Sequence, residues 1–208
     1  MTVGKTYRAP YFRHEDLRRK ADEFLAKHHA RGTIPVPIEE IVEFRLGMDI
    51  VPTPGLHELL ETDGFITSDF KEIHMDEFVY RSRPGRYRFT LAHEVGHAVL
   101  HAELFHGRRF RTVSEWKKFV NSISEKEHGW LEYQAYAFAG LVLVPRIALE
   151  RHTKKCVDQV RAEGIDLGEN WDFALSRIAA FLAKRFEVSS EVIERRLQKD
   201  EVPESFKR

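Results

Sequence analysis

His93 and His97 stand four residues apart in "RFTLAHEVGHAVLHAEL" (residues 88–104), and Glu94 directly follows the first of them. On a helix advancing about 100° per residue, the two histidines lie about 40° apart on one face, one turn above the other. Two imidazoles placed this way can reach one ion. Zinc takes neutral nitrogen ligands, and a catalytic site keeps one position open for water. Glu94 lies about 60° round the helix from His97, so its carboxylate can approach that water without ligating the ion. A metal-activated water gives up its proton near neutral pH, and a nearby carboxylate can take it as the water attacks a carbonyl. The spacing therefore supplies the parts of peptide hydrolysis. The competing reading is a half-exposed, histidine-rich helix with no metal.

A third ligand decides between these readings. Downstream stand His101, Glu103, His106, Glu125, Glu127, His128 and Glu132, most of them in polar stretches where water satisfies them. Glu132 differs, because Ala135, Tyr136, Ala139, Val142 and Leu143 share its helical face. A carboxylate on an apolar face is rarely buried unless it is paired or bound to metal. The alternative is a solvated residue in the helix's first turn, favoured there by the macrodipole. The expected site is one divalent ion, zinc or manganese, held by His93, His97 and Glu132, with Glu94 as base.

Around it, His101 continues the series about 80° round the face, either lining a pocket or sitting as a polar residue at the helix end. Arg81, Arg83, Arg86 and Arg88 precede the helix. Positive charge at a helix N-terminus opposes the dipole and calls for partners. Glu72, Asp76 and Glu77 are the first candidates, and an acidic or phosphate group on a substrate is the other, which makes Arg88 a pocket candidate.

These residues must be positioned by neighbouring elements. Residues 14–31 repeat apolar positions at helical spacing, "GTIPVP" breaks that helix, and "IEEIVEFRLG" reads as a second, stopped at Gly47. "MDIVP" and residues 64–80 read as short strands of a small, mainly antiparallel sheet. The histidine helix follows "RPG" and runs to about His101. A polar stretch with turns at Gly107 and Gly129 leads to the apolar helix "LEYQAYAFAGLVLVP", and helices are expected at 146–162, 171–186 and 189–199. The fold class is α+β, a helix-rich domain with a small sheet beside the histidine helix.

Composition bounds the rest. The chain has 208 residues with 33 Lys and Arg against 33 Asp and Glu, so no global basic field attracts nucleic acid. Its single cysteine, Cys156, excludes an intrachain disulfide and fits a reducing compartment. No apolar run is long enough to span a bilayer and the N-terminus lacks a signal-peptide core, so a cytoplasmic protein without a membrane partner is expected. Residues 176–197 look superficially like helix-turn-helix, but Glu191, Glu194 and Asp200 accompany Arg195 and Arg196, both expected to be exposed. The pair is read as closing the domain or docking a protein, without direct nucleic-acid contact.

"RYRFTLAHEVGHAVLH" followed by "EYQAYAFAGLVLVP" resembles the ImmA/IrrE family of metallopeptidases over about residues 34–145. The resemblance implies a zincin-like fold across a single domain, 1–208, with residues 146–208 as C-terminal helices. It implies His93 and His97 as metal ligands, Glu94 as catalytic base and Glu132 as third ligand, the same set reached from spacing. It also implies a protein substrate, a helix-turn-helix repressor controlling stress, DNA-damage or mobile-element genes, or an antitoxin. The alternative is a toxin–antitoxin component or a regulatory, DNA-binding protein that retains its metal site. One departure stands out: Tyr136 occupies a position that is usually Asn in the family. It shares Glu132's face, where its hydroxyl can bond that carboxylate or line the pocket, or its ring can simply pack in the core.

Overall fold

The computed structural model describes residues 8–164, 171–200 and 202. Helix α1 (His14–His28) buries Leu17, Ala21 and Phe24 along one side, the stripe expected from their spacing. Helix α2 (Ile38–Glu40) runs on into a π-helical segment, Ile41–Leu46, and Gly47 ends it in the left-handed region at φ 67°. Strand β1 (Asp49–Thr53), helix α3 (Leu56–Leu60), β2 (Gly64–Ile66) and β3 (Glu72–Asp76) follow.

The sheet has the order β1-β3-β2, with β1 parallel and β2 antiparallel to β3. It is mixed rather than mainly antiparallel. The chain leaves β1 through α3 and lays β2 on the far edge, so only the β2–β3 hairpin is antiparallel. Residues 64–80, read as short strands, form β2 and β3 and end in helix α4 (Glu77–Ser82) instead, since the Asp76 carboxylate accepts from the Phe78 and Val79 amides and starts a helix.

Helix α5 (Pro84–Leu100) opens with proline at its first position, where the missing N–H costs nothing. Short helices α6 (Ala102–Phe105) and α7 (Val113–Val120) lead to α8 (Glu125–Leu143). Gly107 makes the expected turn at φ 73°, but Gly129 lies inside α8, because the Ser124 hydroxyl caps the helix ahead of it. Helices α9 (Arg146–Ala162), α10 (Trp171–Phe186) and α11 (Ser190–Lys199) follow among the described residues.

Helices α5 and α8 pack together at the centre, burying Leu91, Val95, Ala135, Phe138 and Ala139. Gly96 makes this close: a Cβ there would stand 3.2 Å from the Ala135 Cα and carbonyl oxygen. Helix α1 covers α8, with Phe24 edge-on to Phe138 at 5.7 Å. Behind α8, Arg196 of α11 is buried and donates to the Val144 carbonyl at 3.1 Å. That corrects the expectation of an exposed arginine: its long side chain reaches inward to satisfy the end of α8 and to pair with Asp200.

Candidate metal centre

Helix α5 presents His93 and His97 one turn apart, and α8 crosses it so that Glu132 faces both. His93 Nε2 lies 3.1 Å from His97 Nε2 and 3.1 Å from Glu132 Oε2, and His97 Nε2 lies 3.4 Å from Glu132 Oε1. All three residues offer ligand atoms within 4.8 Å of one another. Tetrahedral zinc with bonds of about 2.0–2.1 Å has ligand–ligand edges of about 3.3–3.4 Å. The donors therefore suit one small divalent ion without rearrangement, and the chemistry of the set, two imidazole nitrogens and a carboxylate, suits zinc.

Glu132 stands well inside α8, which begins at Glu125, so the first-turn explanation of this carboxylate fails. Its side chain keeps 42% exposure because it faces a cleft, while Ala135, Ala139, Val142 and Leu143 bury the rest of its face. Burial works to raise its pKa, but hydrogen bonds from His93 and His97 hold it well below the usual carboxylate range. Burial works to lower His97, yet Glu132's hydrogen bond and charge win and raise it. Glu94 is buried, with the Ile66 amide of β2 beside it, and burial raises its carboxyl despite the nearby histidines.

Two cavities of about 510 Å³ and 650 Å³ meet at this cluster, each lined by His93, Glu94 and Glu132. The first sets apolar residues, among them Ile66, Phe105, Trp116, Phe119 and Leu131, beside the charged Glu58, Glu61 and Lys117. The second carries charge, with Glu61, Asp63, Arg86 and Glu191 on its walls. Gly64 lets β2 approach α5 here, since a Cβ would meet the His74 carbonyl and Thr90 at 2.9 Å.

Of the remaining sequence candidates, His101 is buried rather than solvated at a helix end. Its Nδ1 lies 3.1 Å from His97 Nδ1 and its Nε2 2.8 Å from Gln134 Oε1. Burial, followed by the His97 charge, pushes its pKa down to about 3. Tyr136 lines the second cavity, its ring packed on Phe89 at 4.8 Å and covered by the Arg195 guanidinium. Among the described residues no hydrogen bond joins it to Glu132.

Arg88 is not part of the pocket. Five residues before His93 it faces about 140° away round the helix, donating to the Val36 carbonyl at 2.7 Å and pairing with Glu187. The basic run is neutralised within the fold: Arg81 pairs with Glu77, Arg86 pairs with Asp63, and Arg83 lies over the Phe78 ring. Glu103, His106 and Glu125 are exposed, and Glu127 accepts from the Ala9 amide. Cys156 is a half-buried thiol whose pKa burial raises.

Sequence reasoning passes over two residues that the structure brings in. His128 lines the first cavity with Nε2 3.4 Å from Glu132 Oε1, and its position four residues before Glu132 is the signal that could have raised it above its polar neighbours. Gln134 is buried beside His101, and nothing local to either residue announces that contact.

Comparison with known proteins agrees with this picture. A family model described as the IrrE N-terminal-like domain matches residues 45–198. No curated protein matches the chain in sequence. Among solved structures, a "Mycobacterium tuberculosis transcriptional regulator" is similar at a TM-score of 0.51 and 17% identity. The match covers 87% of this chain and 46% of that one, so this chain spans less than half the length of its structural neighbour. At that identity the likeness is one of fold.

Proposed function

This chain belongs to the peptidase family whose model is the IrrE N-terminal-like domain, and from that premise we propose that it is a zinc-dependent endopeptidase acting on a regulatory protein. Family membership supports a metallopeptidase-like or regulatory role. The finer reading is carried by one observation: His93 Nε2, His97 Nε2 and the Glu132 carboxylate converge beside the buried Glu94, where two cavities meet.

In this reading His93, His97 and Glu132 hold the ion. Zinc bound there supplies Lewis acidity toward a water and a peptide carbonyl. Glu94 accepts the proton of the attacking water at its carboxylate and delivers it to the departing amine nitrogen. His128 and Tyr136, one in each cavity, are two of the lining side chains with a donor for the carbonyl oxygen as it gains charge. Strand β2 is an edge of the sheet, suited to pairing with an extended substrate, and Phe105, Trp116, Phe119 and Leu131 of the first cavity suit a large aliphatic or aromatic side chain of that substrate.

Residues 1–208 then act as one peptidase domain, with the helices after 146 closing it. The substrate class is a helix-turn-helix repressor or an antitoxin, which puts the reaction in the cytoplasm. No helix among the described residues is long and apolar enough to cross a membrane. The second reading, a regulator whose output is not proteolysis, takes its support from the mycobacterial neighbour, which is described as a transcriptional regulator.

The test is to incubate the purified chain with zinc and the repressor encoded nearest to it, and to identify products by mass spectrometry. Discrete cleavage abolished by a zinc chelator supports the peptidase. Intact repressor and an intact peptide library, with zinc bound at one ion per chain, favour the regulator.

A further inference from the structure

Behind the metal cluster, on the side away from the cleft, a line of hydrogen bonds runs from α8 to His97. The Gln134 amide nitrogen donates to the Pro10 carbonyl at 2.6 Å, and Gln134 Oε1 lies 2.8 Å from His101 Nε2. His101 Nδ1 then lies 3.1 Å from His97 Nδ1. The far end of this line has one polarity. A backbone carbonyl only accepts, so the Gln134 NH2 must face Pro10 and its oxygen must face His101. A carboxamide oxygen also only accepts, so His101 carries its proton on Nε2.

His101 is 1% exposed, and among the described residues no carboxylate is hydrogen-bonded to it. A charged imidazole there would be buried without a counter-charge, so the ring is neutral and its Nδ1 accepts. His97 must then donate from its own Nδ1. His97 then turns Nε2, its other nitrogen, to His93 Nε2 and Glu132.

We propose that Gln134 and His101 are positioning residues that hold the His97 ring through its Nδ1, so that Nε2 is the atom turned to a metal ion. The inference rests on the metal-binding reading above. If Gln134 could not accept, His101 would be free to carry its proton on Nδ1 and would no longer accept from His97. The His97 ring would then lose the bond that fixes its plane. Outer hydrogen bonds of this kind typically alter metal affinity about 10–100-fold. The Pro10 end is itself anchored, because the neighbouring Ala9 amide donates to Glu127 on the same helix.

The test uses the full chain and two measurements. Nitrogen-15 imidazole spectra of the zinc-loaded wild type should show His101 protonated on Nε2 and His97 on Nδ1. Zinc affinity, measured by chelator competition, should fall about 10–100-fold in Gln134→Leu. A zinc-loaded wild type whose His97 carries no proton on Nδ1 overturns the proposal whether or not the variant folds. So does a folded Gln134→Leu that binds zinc as tightly as wild type. If wild type itself binds no zinc, the metal reading fails, an outcome distinct from either of these.

Discussion

Gly96 of α5 packs directly on Ala135 of α8: a Cβ at position 96 would stand 3.2 Å from both the Ala135 Cα and its carbonyl oxygen. This contact sets the separation of the two helices one turn from where Glu132 meets His93 and His97. A methyl group here must push against helix backbone in the centre of the core, which cannot give way as a flexible side chain would. Gly96→Ala is therefore expected to destabilise by about 1–3 kcal/mol, overriding the roughly 1 kcal/mol that alanine gains in a helix. Because it spreads α5 from α8, it should also weaken zinc binding. Chemical unfolding of the metal-free protein and chelator competition check the two effects. A stabilised variant with unchanged affinity contradicts the account.

What was legible in the sequence follows from locality. The His93, Glu94 and His97 arrangement depends only on helical periodicity, and Glu132 declared itself as a carboxylate among Ala135, Ala139 and Val142. The inward course of Arg88 and Arg196 was not legible, because a long side chain chooses its partner from elements far along the chain. Gln134 and Pro10 meet across a separation of 124 residues, so the line that reaches His97 could not be read locally. The sheet's parallel pair depended on where the crossover through α3 laid β2, which strand composition does not specify.

Asp200 carries a prediction about acid. Its side chain is fully buried, with oxygens 2.8 Å from Arg18 and 2.7 Å from Arg196, and 3.6 Å from His14. Burial alone would raise its carboxyl, but these partners outweigh burial and lower it. A depressed carboxylate contributes its full stability above the unfolded value of about 3.9 and loses it as pH falls through the lower folded value. Asp200→Asn should cost about 3–5 kcal/mol near neutrality, since it leaves Arg196 buried without its counter-charge. The gap between variant and wild type should narrow below about pH 4. A gap that stays constant down to strongly acid pH would show that the ion pairs do not carry this stability.

Helix α11 should not read nucleic acid. Arg195 pairs with Glu191 at 2.6 Å and covers the Tyr136 ring, and Arg196 is committed to Val144 and Asp200. Arg196 is buried away from any phosphate or base edge, and the exposed Arg195 has an acidic neighbour, Glu191, that opposes a phosphate. Duplex DNA is expected to bind no more tightly than the non-specific range of about 10⁻⁴–10⁻⁶ M at physiological salt. Fluorescence anisotropy across a salt series measures this. Sub-micromolar binding that weakens with salt and is lost in Arg195→Ala would overturn it.

The proposed division of labour between Glu94 and the ligands separates chemistry from metal binding. Glu94→Gln keeps the shape of the side chain but cannot accept the proton of the attacking water. Positioned acid–base catalysis contributes about 10²–10⁴-fold, so cleavage of the cognate repressor should fall by at least that much. Zinc content should stay at the wild-type level, because Glu94 is not among the three donors that face one another. His97→Ala removes a donor, and it should lose zinc, activity and the zinc-dependent part of stability together. Ligand linkage makes that part about 2.7 kcal/mol when free zinc is a hundred times its dissociation constant. Adding zinc should therefore raise the unfolding midpoint of wild type and Glu94→Gln, and leave that of His97→Ala where it is. Stoichiometry by metal analysis, midpoints by thermal unfolding and rates on one repressor decide the matter. A Glu94→Gln protein that cleaves as fast as wild type removes Glu94 from the chemistry, and one that loses its zinc makes the carboxylate a ligand instead of a base.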